Sequence, residues 1–304
     1  MQRTRFFIFL IIGIFLIGLS GWFVYTKFFP TIHFNGERAY QDVLAQVNYG
    51  PRIPGSTAHT QTIAYIQQEL KQAGWQIEIQ NTEWQGFPVQ NIIASRSGKG
   101  SPIILGAHYD SRILADQDPG PGGKGPVPGA DDGASGVAVL LELSRTLPST
   151  SIPIQLVFFD AEDNGGLDGR QWIMGSRAFV ASLTNKPRAA IIVDMVGDSD
   201  LNIYIERNSD TQLTSAIWAQ AAALGYGNIF ISQPKYDMID DHTPFLEAGI
   251  PAVDIIDFDY PYWHTAADTA DKVSPKSLQA VGETLWEWIV KQKLIAQNHD
   301  LPST

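Results

Sequence analysis

The chain has 304 residues, 44% of them hydrophobic and eight of them tryptophan, enough to bury a core in one large α/β domain or two small ones. It has no cysteine, so disulfides and thiolate metal sites are excluded, and any zinc must be held by histidine, aspartate and glutamate. Beyond the first 29 residues, 18 basic side chains stand against 32 acidic ones, a formal −14, which disfavours nucleic acid and anionic lipid heads as partners.

In chain order, MQRTR is followed by the uncharged run FFIFLIIGIFLIGLSGWFVY at 6–25. Twenty such residues are about enough for a helix to cross a hydrocarbon layer of roughly 30 Å. Arg3 and Arg5 precede the run and only Lys27 closely follows it, so the N-terminus is expected in the cytoplasm and the rest outside. No A-x-A site follows the apolar stretch, which favours an uncleaved signal anchor over 1–27 against a removed signal peptide. A linker (28–36) then leads into one domain, 37–304. Apolar residues at helical spacing predict helices over 37–48 and 56–73, the second ending at Gly74. The short apolar runs WQIEI, NIIAS, PIILGA, IQLVFF, AAIIV, LNIYI and PAVDII read as strands, most with helical stretches between them. That alternation predicts a central, mostly parallel or mixed sheet with helices on both faces. The segment DQDPGPGGKGPVPG at 116–129 is a Pro/Gly loop, and SLQAVGETLWEWIVKQKLI predicts a closing amphipathic helix before a polar tail.

Charge falls at the strand ends. PIILGA runs into His108-Tyr109-Asp110, IQLVFF into Asp160-Ala161-Glu162-Asp163, AAIIV into Asp194, and PAVDII is followed by an aromatic loop and His264. In open α/β sheets, ligands bind just beyond the carboxyl ends of strands. Beside these ends VPGADDGASG opens a helix, with Asp131 and Asp132 fenced by glycine and alanine. Carboxylates gathered at such a place are costly unless cations neutralise them. Neutral imidazole and carboxylate are zinc's non-thiolate ligands, and a carboxylate has two oxygens with which to bridge two ions. Asp110, two residues after His108, is placed to accept that imidazole's other N–H.

HYDS, GADDGASG, DAED, VDMVG, DDHTPF and WHT, in this order, resemble the M28 family of zinc aminopeptidases and the related glutaminyl cyclases, over roughly 37–292. The resemblance implies a zinc-peptidase-like three-layer sandwich. It implies that His108 and Asp194 bind one zinc, Asp163 and His264 the other, and that Asp131 bridges them through a turn often containing a cis peptide to Asp132. Glu162 becomes the general base, with Asp241 hydrogen-bonded to it. Two zinc ions per chain are expected, or one if the chain is cyclase-like.

GADDGASG and ADTADKV resemble the peptidases. Trp263 before His264, the DDHTPFLEAGIP segment, and NGGLDGRQWIM with Trp172 are closer to the cyclases. Asp254 stands where cyclases carry histidine, and Asp163 where glutamate is usual. The first expectation is removal of N-terminal residues from peptides by metal-activated water. The alternative is cyclisation of N-terminal glutamine at the same site, and a non-catalytic binding ectodomain is a third reading. The substrate is a peptide with a free N-terminus, its pocket walled by Trp172 and by the aromatic loop with Phe258, Tyr260, Tyr262 and Trp263. His33, His59 and His299 are expected in solvent or linker positions. Asp160 is expected simply to end its strand, the Asp241-His242 pair either to cap a helix start through Asp241 or to support the site from behind its ligands, and Asp198, Asp200, Asp257 and Asp259 to be rim charges.

Overall fold

Short continuous apolar runs, whose successive side chains point to opposite faces, build a sheet buried on both sides. The computed structural model describes residues 34–299 except 97, 99, 120–124 and 150–151, with side chains as far as 291. In chain order the first elements are α1 (Gly36–Tyr49), α2 (Thr57–Gln72), β1 (Gln76–Trp84), β2 (Phe87–Ser95), β3 (Ile103–His108), α3 (Ala134–Thr146), β4 (Ile154–Phe159) and α4 (Met174–Ala181). Then come β5 (Ala189–Asp194), β6 (Ile203–Glu206), α5 (Thr211–Ala223), β7 (Phe230–Tyr236), α6 (Thr243–Glu247), β8 (Ala252–Ile256), a 3-10 turn (Ala270–Lys272) and α7 (Pro275–His299).

Six strands form one mixed sheet in the order β1-β2-β4-β3-β5-β8. Pairing is antiparallel for β1/β2 and β2/β4, and parallel for β4/β3, β3/β5 and β5/β8. Along β3, Ile103, Leu105 and Ala107 enter one hydrophobic cluster and Ile104 the other; along β5, Ile191 and Val193 oppose Ala190 and Ile192. The first cluster takes residues from α1, α2, α3, α5 and α7, and the second from α4 and α6. The domain is thus an α/β fold with helices on both faces of its sheet. One expectation is corrected: LNIYI does not join the main sheet. It forms β6 and pairs in parallel with β7 in a separate two-stranded sheet. β7 carries Pro234 and is exposed at most positions, which suits a short peripheral pair.

Because β3, β4, β5 and β8 run parallel, their carboxyl ends share one edge. Ala161, Met195 and His264 have left-handed backbones (φ 54°, 44° and 53°) in the loops leaving β4, β5 and β8. Such conformations cost energy for residues with side chains and cluster where geometry serves a site. α3 starts at this edge, and a Cβ on Gly136 would lie 2.2 Å from the Val193 carbonyl oxygen, so glycine lets the helix sit directly on β5. The apolar run at 6–25 lies outside the described residues, among which no helix is long and apolar enough to cross a membrane.

Candidate metal centre

At this edge two buried groups of ligand atoms share one aspartate. His108, Asp132 and Asp194 form one, and Asp132, Asp163 and His264 the other; within each, the atoms lie within 4.8 Å of one another. His108 Nε2 is 3.1 Å from Asp194 Oδ1 and 3.2 Å from Asp132 Oδ1. His264 Nε2 is 2.7 Å from Asp163 Oδ1 and 3.7 Å from Asp132 Oδ2. One oxygen of Asp132 faces each imidazole, the arrangement a bridging carboxylate needs.

The structure corrects the neighbour assignment. Asp131, expected to bridge, turns away: its Oδ1 accepts the Gly197 N–H at 2.6 Å. Among the described residues no peptide bond is cis, so that expectation also fails at Asp131–Asp132. The turn is made instead by Gly133, whose φ of +93° leaves no room for a Cβ, which would fall 2.6 Å from the Asp110 carbonyl oxygen.

Outer residues hold the ligands in place. Asp110 sits 3.5 Å from His108 Nδ1 and accepts the N–H groups of Glu162 (3.1 Å) and Asp163 (3.3 Å), fastening the loop that bears them. Asp268 accepts the Asp131 and Asp132 N–H groups at 2.9 and 3.2 Å, and the Tyr260 hydroxyl at 2.6 Å. Arg52 is fully buried; its guanidinium donates to the carbonyls of Tyr109 (2.9 Å), Pro128 (2.8 Å) and Gly129 (2.5 Å), tying two ligand-bearing loops together. Sequence reasoning missed Arg52 and Asp268. The only local sign was an arginine in the breaker-rich stretch GPRIPG.

Electrostatics agree with a cation-shaped gap. Burial, with Asp132 beside it, pushes Asp163 up to about 6, and burial pushes Asp194 to about 7 and Asp268 to about 7. Glu162 is held well above the ordinary carboxylate range, because burial and the charges of Asp163, Asp240 and Asp241 outweigh His108. Burial works against charge on His108, but Asp194, Asp110 and Asp132 raise it above its usual value. Buried atoms of the centre still lack hydrogen-bond partners: His108 Nδ1, Asp132 Oδ2 and Asp163 Oδ2. Histidine and carboxylate donors with orphaned atoms fit zinc.

Beside the ligands opens a cavity of about 210 Å³, lined by Glu162, Trp172, Met195, Ile256, Phe258 and Trp263 among others. The Trp263 and His264 ring centres are 3.8 Å apart, and Trp172 also stacks on the His264 ring, at 5.9 Å. Tyr260 does not line this cavity; it is buried against Asp268 instead. Asp241 makes no hydrogen bond to Glu162, since both its oxygens lack a partner, although its charge raises the Glu162 carboxyl. His59 is not solvated: it is buried, 2.8 Å from Asp160 Oδ1, and stacks on Tyr109. Asp257 and Asp198 are buried rather than rim charges, and Asp257 accepts the Asn202 and Asp259 N–H groups. His242 leads into α6 without a side-chain cap. His33 and the His299 side chain lie outside the described residues.

The chain is similar to Porphyromonas gingivalis glutaminyl cyclase, with TM-score 0.80 and 36% identity over 85% of this chain and 99% of that one. It is similar to a Zn-dependent exopeptidase from Parabacteroides distasonis, with TM-score 0.79 and 33% identity over 84% and 98%. It is also 28% identical to aminopeptidase YwaD of Bacillus subtilis, over 67% of this chain and 46% of that one. The model of Peptidase family M28 matches residues 91–289, a span that runs from β2 into α7 and contains both ligand triads. With that span and those near full-length likenesses, the chain belongs to Peptidase family M28.

Proposed function

We propose that this chain acts on the N-terminal residue of peptides, and that its reaction is cyclisation of N-terminal glutamine with release of ammonia. The observation that carries this is the cavity: about 210 Å³, walled by Trp172, Phe258 and Trp263, with Glu162 and the metal ligands lining the same space. It suits one flat, uncharged side chain such as a carboxamide laid against an indole. The near full-length likeness to a glutaminyl cyclase supports the same reading.

His108, Asp132 and Asp194, with Asp163 and His264, would hold zinc. When bound, zinc supplies Lewis-acid polarisation of the substrate carbonyl. The aromatic walls orient the glutamine and exclude water. As the α-amine nitrogen bonds to Cδ, Glu162 takes a proton from it; as the bond from Cδ to the amide nitrogen breaks, Glu162 returns the proton and ammonia leaves. A carboxyl held above its ordinary range suits both halves of that transfer.

Hydrolysis of the N-terminal peptide bond is the second reading. It is favoured by the complete pair of triads around Asp132 and by the likeness to an aminopeptidase. There, water bonds to the main-chain carbonyl carbon of the first residue as Glu162 takes its proton, and Glu162 gives that proton to the departing peptide nitrogen as the C–N bond breaks. The deciding experiment offers the metal-replete protein a glutaminyl peptide and a panel of aminoacyl anilides. Ammonia with a blocked N-terminus supports cyclisation. Release of free amino acids without ammonia overturns it in favour of hydrolysis, and neither product would leave a binding ectodomain. Glu162→Gln should keep its metal and lose about 10²- to 10⁴-fold in rate. Near-full activity in that variant would remove Glu162 from its role. We further propose that residues 6–25 anchor the chain with this domain outside the cytoplasm, which protease added to intact cells would test.

A further inference from the structure

Among the described residues, most buried side-chain atoms without a hydrogen-bond partner fall into two groups. One belongs to the metal centre. The other comprises Asp240 Oδ2, both oxygens of Asp241, both oxygens of Asp254 and both nitrogens of His242. Orphaned polar atoms are rare in protein interiors, and buried charges persist only when paired or bound to a metal. The second group therefore carries the same signature as the first, in residues that touch neither the substrate nor the Asp132 triads in the mechanism above.

Its geometry is that of a site. Ligand atoms of Asp240, His242 and Asp254 lie within 4.8 Å of one another. His242 and Asp254 are completely buried and Asp240 is 4% exposed. Asp254 lies on β8 opposite Ile192, hence one strand over from Asp194 and on the same face of the sheet. His242 Nδ1 is 3.6 Å from Asp254 Oδ2, while Nε2 is 3.3 Å from Glu206 Oε2. Glu206 is otherwise satisfied: Oε2 accepts the Ser209 N–H and hydroxyl at 2.7 and 2.9 Å, and Oε1 accepts from Asn208 (2.9 Å) and the Met238 N–H (3.0 Å). Such a carboxylate, 3.3 Å from Nε2, holds that side of the imidazole toward Glu206 and leaves Nδ1 on the side of Asp254. No lysine or arginine ion pair reaches Asp240, Asp241 or Asp254 among the described residues.

We propose that Asp240, His242 and Asp254 form a further divalent-cation site, distinct from the centre around Asp132. One imidazole and two carboxylates suit zinc, with manganese as the related alternative. A cation there would tie β8 to the segment carrying Met238, Ile239 and Asp240, which forms one lip of the substrate cavity. The ion supports that lip and neutralises charge beside Asp194. The inference leans on the proposed centre only for counting ions.

The test is the zinc content of the full-length protein after saturation and removal of free metal. Wild type should hold one ion more than the Asp132 centre. Asp254→Asn and His242→Gln should each lose one equivalent, and Asp132→Asn should retain this one. If Asp132→Asn removes all bound zinc, or Asp254→Asn leaves the count unchanged, the site does not exist and shared protons neutralise the cluster. If Asp132→Asn loses nothing, the reading of the main centre fails while this one stands. Should the variants not fold, zinc-edge anomalous scattering from wild-type crystals decides: a peak among the three side chains supports the site, and its absence overturns it.

Discussion

Two acid-rich regions of this molecule treat charge in opposite ways. On the helical face, Glu142 of α3 is fully buried and accepts two hydrogen bonds from Arg38, at 2.6 and 2.7 Å. Arg145 there holds both oxygens of Asp42, at 2.6 and 2.8 Å, and Glu69 at 2.8 Å, while the Tyr65 hydroxyl also donates to Asp42. None of those carboxylate oxygens is orphaned. At the strand ends, Asp132, Asp163, Asp194 and Glu162 are equally buried, yet the one fully buried guanidinium nearby, Arg52, spends its hydrogen bonds on backbone carbonyls. The same residue types are structural where arginine balances them and functional where a cation must.

That contrast can be broken from either side. The largest effect is expected from Asp132→Asn, which should lose metal from both triads and more activity than the ~10- to 100-fold typical of an outer partner. Its unfolding midpoint in the metal-free state should stay close to wild type. Asp131→Asn is the control: retention of metal by Asp132→Asn and its loss by Asp131→Asn would reverse the assignment. Glu142→Gln should do the opposite, costing roughly 2–3 kcal/mol in urea unfolding with unchanged zinc content. This lies below the 3–5 kcal/mol of a wholly buried pair, because Arg38 is half exposed. A loss of zinc in Glu142→Gln would erase the distinction between the regions.

Arg52→Lys sharpens it further. Lysine keeps the charge but not the fork that ties Tyr109, Pro128 and Gly129, so zinc affinity measured against a chelator should weaken about tenfold. Unchanged affinity would mean that Arg52 contributes charge alone. The smallest effect is in pH. In the metal-free protein Asp163, Asp194 and Asp268 titrate near 6, 7 and 7, above their unfolded value of about 4. The native state therefore binds more protons than the unfolded chain between about pH 4 and 7, and metal-free stability falls as pH rises through that window. Zinc needs its ligands deprotonated, so the thermal shift it produces should grow from pH 5 to pH 7.5. A larger shift at pH 5 would contradict this.

The sequence by itself determined the parallel strands and the delivery of His108, Asp163, Asp194 and His264 to one edge, because short continuous apolar runs and the polar residue after each are local signals. Glu162 was legible for the same reason. Tertiary structure alone decided between Asp131 and Asp132: the two are chemically identical neighbours, and what aims one of them is Gly133 together with a carboxylate 136 residues from Asp132 along the chain. It alone decided that Tyr260 clamps Asp268 instead of walling the cavity, that LNIYI leaves the main sheet, and that Arg52 in a breaker-rich loop is fully buried. Each of those outcomes depends on contacts between distant segments, and local periodicity carries no information about them.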